Sequence, residues 1–535
     1  MKFSKIFAIL LVLTFVLSAC GNSKDEEKPL EGTEIVLSDS EIKVDGEKVT
    51  SDKEKAVYVA NDIVYYQSGK DFTYGEGSEK DAHSQEEADS HTVVHITKAG
   101  TYKLSGKLSK GQIAIDLGDG AKKDKNAVVT LVLEGVDISC SVAPAVIFYN
   151  VYECGDDDEE NATKDVDTSS AGANVIIADG SENKVNGSYV ARIYEPDSVQ
   201  LNQAKTEVVD ADKLHKYDGA FYSKRSMNIN GGKENTGVLN IKAENEGLDS
   251  ELHLTINGGN INIVSGNDGI NTNEDGISVT AINGGNVNIK VSGETGEGDG
   301  IDSNGWLVIN GGTVVAQACA KSADAGIDSD MGIHINGGKV IATGSMLDRI
   351  ENGGQNYAVF NFAQKQKGGE KIAFKNENGE NVFETTPENA YSILIYSSSD
   401  LKAGTYTLWS NDKQLQTSGG TVGGNGMKPD GNRHPDGERP EMPDGERPEM
   451  PNGERPEMPN GERPQRPEGT TPPEMPEGAT PPEMPEGTTP PEMPEGTTPP
   501  EFSNPDILDK EIPPQGEPTT EFVIKDGGNM FGGIS

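Results

Sequence analysis

Positive charge is what this chain lacks most. Lysine and arginine number 46 against 88 aspartates and glutamates, for a formal net charge of −42. Nucleic acids and anionic membrane surfaces are bound by cationic side chains that displace counterions, so the balance argues against both and favours divalent cations. Aromatic residues make up 6% of the chain, with two tryptophans, and hydrophobic residues only 33%. That is too little for a helical bundle or a large close-packed α/β enzyme, whereas 65 glycines suit a turn-rich β protein. Four cysteines form neither a CxxC pair nor a cluster with histidine, which argues against zinc.

A long apolar run occurs once. IFAILLVLTFVL (6–17) follows Lys2 and Lys5 and has the length of a signal-peptide core, short for a bilayer span. The LSAC that ends it (17–20) looks like a bacterial lipobox, so Cys20 is expected to carry lipid and residues 20–33 to act as a tether after a signal peptide at 1–19. The mature protein is then expected on the extracellular face of the cell membrane, its only membrane contact the lipid. Cys140 and Cys154 either pair in that oxidising setting or stay as thiols, and Cys319 has no obvious partner.

What is abundant is repetition. Ile-Asn-Gly-Gly begins at Ile229, Ile256, Ile282, Ile309 and Ile335, at spacings of 27, 26, 27 and 26 residues. GLDS (247–250), GINT (269–272) and GIDS (300–303 and 326–329) interleave with it. Between markers the apolar residues alternate with period two, as in Ile261/Ile263, Val287/Ile289 and Val314/Ala316. Short strands at this period predict an all-β fold, a parallel β-helix over 34–350 in which the asparagines before Gly-Gly stack as a ladder. Weaker units extend upstream, interrupted by GDDDEENATKDVDTSS (155–170), an acidic insertion expected to be a mobile surface loop. Past 351 the repeat stops, and AVFNFAQ, KIAFKN, YSILIYSSS and GTYTLWS predict a small β cap over 351–426. Residues 427–519 are dominated by PEMPEG and GERPEMP units and are expected to be disordered and partly polyproline II. TTEFVIKDGGNMF then resumes a strand pattern, so 520–535 are expected to return to the cap.

The markers carry the candidate chemistry. If Ile270, Ile301 and Ile327 face inward, then Asp268 or Asn271, Asp302 and Asp328 face outward in a row, with Asp249 one unit earlier. Stacked units lie about 4.8 Å apart, where two bare carboxylates repel by roughly 3 kcal/mol at an effective dielectric near 20. Glu246, Asp299, Asp324 and Asp330 add to the crowding, and NTNEDG (271–276) contributes Asn271, Asn273 and Asp275. Asp, Asn and Glu oxygens are the ligands Ca²⁺ takes, so the row is read as a column of calcium ligands. An EF-hand is excluded because the twelfth position of that loop is Ile282. Trp306 is placed outward, in register with His253, Val279 and Gly332, and an exposed indole is a platform for a sugar ring. Trp306 and His253 are therefore the candidate carbohydrate contacts.

Together the lipobox, TYKLSGKLSKGQIAID, LVLEGVDI, the GID and INGG units and SILIYSSSDLKAGTYTLWS resemble the bacterial carbohydrate-binding-domain family of calcium-binding, polysaccharide-lyase-like β-helices, over residues 34–426. The resemblance implies a right-handed β-helix, bound Ca²⁺ and binding of cellulose or acidic plant polysaccharides without established catalysis. Two alternatives remain at this point, a structural envelope protein and a calcium-dependent lyase. The lyase needs a neutral base beside the metal, for which Lys321, Lys224 and Arg225 are the nearest cations.

Overall fold

The computed structural model describes residues 31–155, 158–418 and 517–535. The signal segment, the tether up to residue 30 with Cys20, and nearly all of the proline-rich segment lie outside the described residues. Those described are almost all β, with one α-helix, Gln85–Asp89, and three single 3₁₀ turns. None of the described helices is long and apolar enough to cross a membrane.

Each repeat contributes one strand to each of two long parallel stacks. The first stack runs Met227–Gly231, His253–Ile256, Val279–Ile282, Trp306–Ile309 and Gly332–Ile335, each pairing in parallel with the next. The second runs Val238–Ala243, Asn260–Ser265, Asn286–Val291, Thr313–Gln317 and Lys339–Gly344, again all parallel. A third, shorter stack joins Val146–Asn150, Gly219–Ser223, Glu246–Ser250 and Ile270–Thr272, and continues as a single bridge from Ile270 to Ile301. Period-two alternation explains the core: Ile229, Ile256, Ile282, Ile309 and Ile335 of the first stack meet Ile261, Val287, Val314 and Val340 of the second and Ile270, Ile301 and Ile327 beside the third, all at most 2% exposed.

The Gly-Gly step turns the chain between the first two stacks. Gly259, Gly285, Gly312 and Gly338 take φ between +77° and +93°. A Cβ at Gly285 would also stand 2.6 Å from the Gly259 carbonyl oxygen, so both conformation and space demand glycine. Beside this turn Asn257, Asn283, Asn310 and Asn336 each donate through Nδ2 to the Oδ1 of the preceding rung, from Asn230 onward, at 2.8–3.0 Å. On the outward face of the second stack, Asn240, Asn262 and Asn288 form one row and Lys242, Val264 and Lys290 another.

Both ends change to antiparallel pairing. Thr33–Leu37 pairs with Lys43–Val44, which folds back on Glu47–Lys48. At the other end Tyr391–Ser398 runs antiparallel to both Lys339–Gly344 and Tyr357–Gln366. Phe522–Ile524 pairs with Gly404–Tyr406, and Gly528–Ile534 with Tyr357–Phe362, around a second core of Phe360, Phe374, Phe383 and Phe522.

One expectation is corrected. The acidic insertion is not a free loop where it is described: Thr168, 5% exposed, donates to Asn228 Oδ1 and bonds Thr255 Oγ1, both at 2.7 Å, on the outward face of the first stack. The small polar side chains facing out of these strands accept a covering segment, because they offer it hydrogen-bond partners.

Candidate functional site

The acidic markers converge where the chain leaves the third stack. Asp249 pairs in register with Asn271, and the amides of Asp302 and Asp328 donate to the carbonyls of Ile270 and Ile301, so these residues follow one another up the stack beside the inward isoleucines. A carboxylate oxygen from each of Asp299, Asp302 and Asp328 lies within 4.8 Å of the other two. Backbone amides steer the carboxylates: Asp299 N donates to Asp268 Oδ1 at 2.6 Å, Gly298 N to Asp324 Oδ2 at 2.6 Å and Ala325 N to Asp299 Oδ1 at 2.5 Å. One unit down, Asn271 Nδ2 donates to Glu246 Oε1 at 3.2 Å and Asn273 Nδ2 to Asp249 Oδ1 at 2.6 Å.

The column is mostly buried. Asp249 is 0% exposed, Asp328 1%, Glu246 5%, Asn271 8% and Asp268 9%, while Asp299, Asp302 and Asp324 are partly covered. Asp275 and Asp330 stay at the surface, Asp275 accepting from Asn304 at 2.8 Å. Burial, with neighbouring carboxylates next, pushes Glu246, Asp249 and Asp299 far above the ordinary carboxylate range and Asp268 to about 8. Glu246 Oε2, Asp249 Oδ2 and Asn271 Oδ1 are buried with no hydrogen-bond partner. An acceptor in that state costs about 1–3 kcal/mol, more if charged, unless something positive meets it. Oxygen-only donors, three of them unsatisfied, fit a hard divalent cation such as Ca²⁺.

Sequence reasoning missed residues that belong to this site. Asp218, just before Gly219, which pairs in register with Glu246, is 9% exposed and holds Lys216 Nζ at 2.7 Å; its pKa is raised, by burial above all. The YDGAFYS run around it carries no GLD or GID marker. Asp348 accepts from Ser329 N at 3.0 Å and is pushed to about 6 by burial and Asp328. Its Leu347-Asp348 pair repeats the Ile-Asp signal but comes 20 residues after Ile327-Asp328, outside the period. Lys213 and Lys216, with Glu251, Asn273 and Asp275, also line a cleft of about 360 Å³.

The two carbohydrate candidates part company. Trp306 lies between Val279 and Gly332 in the first stack and is partly exposed. His253 is 2% exposed, which corrects its reading as an outward sugar contact. Its Nδ1 accepts from Val279 N at 3.1 Å, burial lowers its pKa to about 4, and Gly155 lies so close that a Cβ there would sit 2.6 Å from Nε2. The acidic insertion covers it. Of the three cations considered for a lyase, Lys321 is tied to the backbone: its Nζ donates to the Gly293 carbonyl at 2.6 Å. At Lys216 burial acts to lower the pKa, but the Asp218 carboxylate outweighs it and keeps the ammonium charged.

Comparison with known proteins comes in at this point. No curated protein matches the chain. A solved polysaccharide lyase-like protein from C. thermocellum, studied as a gadolinium derivative, aligns over 58% of this chain and 90% of its own at 19% identity and a TM-score of 0.32. The family model for carbohydrate-binding domain-containing proteins matches residues 90–419, well over half of the sequence. By that match the chain belongs to the carbohydrate-binding domain-containing family.

Proposed function

We propose that this protein is a lipid-anchored, cell-surface polysaccharide-binding module, in which the stacked strands form the coils of a parallel β-helix and Ca²⁺ ions staple the carboxylate column. The family match over 90–419 is the observation that carries the polysaccharide as partner. Support for the metal comes from buried carboxylates with unsatisfied oxygens, Glu246 Oε2 and Asp249 Oδ2, and from the three oxygens of Asp299, Asp302 and Asp328 within 4.8 Å of one another. Support for the β-helix comes from the 26- and 27-residue period, which matches one parallel pairing per repeat in each long stack. Support for the anchor is LSAC at 17–20. A glycan carries hydroxyls and no obligate charge, so it is a partner that a chain of net charge −42 does not repel.

The test is retention of the protein on cellulose, xylan, pectate and purified cell wall, each with calcium and with a chelator. Retention on at least one glycan is expected, with calcium raising the melting temperature whether or not the glycan is present. Retention on none of them would end the polysaccharide reading. A melting temperature indifferent to calcium would end the staple.

A further inference from the structure

On a molecule this acidic, one stretch of sheet carries no acid across three strands. The second stack faces outward with the row Asn240, Asn262, Asn288 and, beside it, the row Lys242, Val264, Lys290, adjacent strands standing about 4.8 Å apart. No carboxylate occupies any of these six positions, although the chain has 88 of them. Glu388, which meets Lys290 Nζ at 2.5 Å, marks one border of the patch, and Glu182, paired with Lys184 on the preceding strand, marks the other.

Two of the three amides are already joined, and donor capacity remains. Asn262 Nδ2 donates to Asn240 Oδ1 at 2.9 Å, which uses one of its two N–H groups. Val264 is 39% exposed between the two lysines and offers an apolar contact within the polar array. The equivalent outward face of the first stack is closed: Thr168 is bonded to Asn228 and Thr255, and the chain at Gly155 packs on His253. On the amide face Lys242, Val264 and Asn288 are exposed, and Asn240, Asn262 and Lys290 are partly so.

We propose that this amide face, and neither Trp306 nor the carboxylate column, is where the protein holds its glycan, and that the glycan is a neutral, hydroxyl-rich chain lying across the strands. The inference rests on the polysaccharide-binding reading and says where and what it binds. Repeated amides supply one donor and acceptor pair per strand to successive hydroxyls, and a valine at the centre takes the C–H face of a sugar ring. A polyanion would profit from the two lysines but face the field of the whole molecule, whereas a neutral chain needs no compensation for desolvated charge. Binding of this kind does not pass through the metal.

The experiment measures binding of the full chain to cellulose and to soluble cello-oligosaccharides, in calcium and in chelator at a temperature where both forms are folded. The double variant Asn262→Asp, Asn288→Asp keeps side-chain size and puts acid on the face. It should bind at least about tenfold more weakly, the equivalent of losing one or two net hydrogen bonds. Asn378→Asp, in an exposed turn of the far-end strands, controls for added charge and should bind as the parent does. Should the double variant fail to fold, acetylation of the unmodified protein answers the question: Lys242 should be protected by saturating oligosaccharide, and Lys43, on the strands that close the N-terminal end, should not. Equal binding by parent and double variant, or Lys242 labelling indifferent to ligand, overturns the inference while leaving the polysaccharide reading intact. A parent retained only by pectate and only with calcium overturns it as well. A parent that binds no glycan removes the reading itself.

Discussion

Ile301 shows how core and site depend on one side chain. It is fully buried, bridged to Ile270, and the residue after it is the ligand candidate Asp302. Ile301→Ala should cost about 2–5 kcal/mol by chemical denaturation, as large-to-small core changes do, and should weaken calcium binding because the turn loses its anchor. The carboxylates make an opposite prediction. Asp268, raised to about 8, is protonated in the metal-free fold while its unfolded counterpart ionises near 3.8. Between those values the unfolded chain holds fewer protons, so its contribution to stability is full below about pH 4 and falls as pH climbs toward 8. Asp348 adds a similar loss up to about 6. Metal-free protein should therefore melt lower at pH 8 than at pH 5, and saturating calcium should flatten the dependence. Asp302→Asn with Asp328→Asn should raise the metal-free melting temperature at pH 8 and abolish the calcium increment. The sequence made Asp302 and Asp328 visible because each follows an inward isoleucine in a fixed frame, whereas Asp348 falls outside that frame. It did not reveal how far they are buried.

Among the elements, the acidic insertion departs most from expectation. Composition alone reads 155–170 as a segment with nothing to bury, and its acids from Asp158 to Asp167 do stay outside. A single threonine changes the outcome, because Thr168 finds Asn228 and Thr255 on a flat polar face and takes the segment down with it. Thr168→Val should unfasten this stretch at a cost of about 1–3 kcal/mol, the penalty for stranding the buried Asn228 and Thr255 groups. Limited proteolysis should then cut within 158–170 well before the repeats unravel. His253 fell to the same cause: its strand position was legible and the segment above it was not. The asparagine ladder, by contrast, could be read from sequence, because rungs 26 or 27 residues apart in parallel strands have no other neighbour to bond.

For the whole molecule, the all-β character and the register of the stacks were legible, since one period dictates both. The antiparallel closure at the far end depends on residues more than 100 positions away. Phe522 is fully buried against Phe360 and Phe374, so Phe522→Ala should cost about 3–5 kcal/mol and should loosen Gly404–Ser410 first in hydrogen exchange. Closure at both ends also bears on ancestry. Strands that pair antiparallel with the outermost rungs, Lys43–Val44 at one end and Tyr391–Ser398 at the other, leave no terminus at which another repeat can be appended. Lengthening has to happen from within, by in-frame duplication of a 26- or 27-residue segment between two existing Gly-Gly turns. Such a copy inherits its isoleucine, its amide rung and its acid together, so kin of this protein are expected to differ by whole repeats and to grow in core, ladder and cation capacity by the same count.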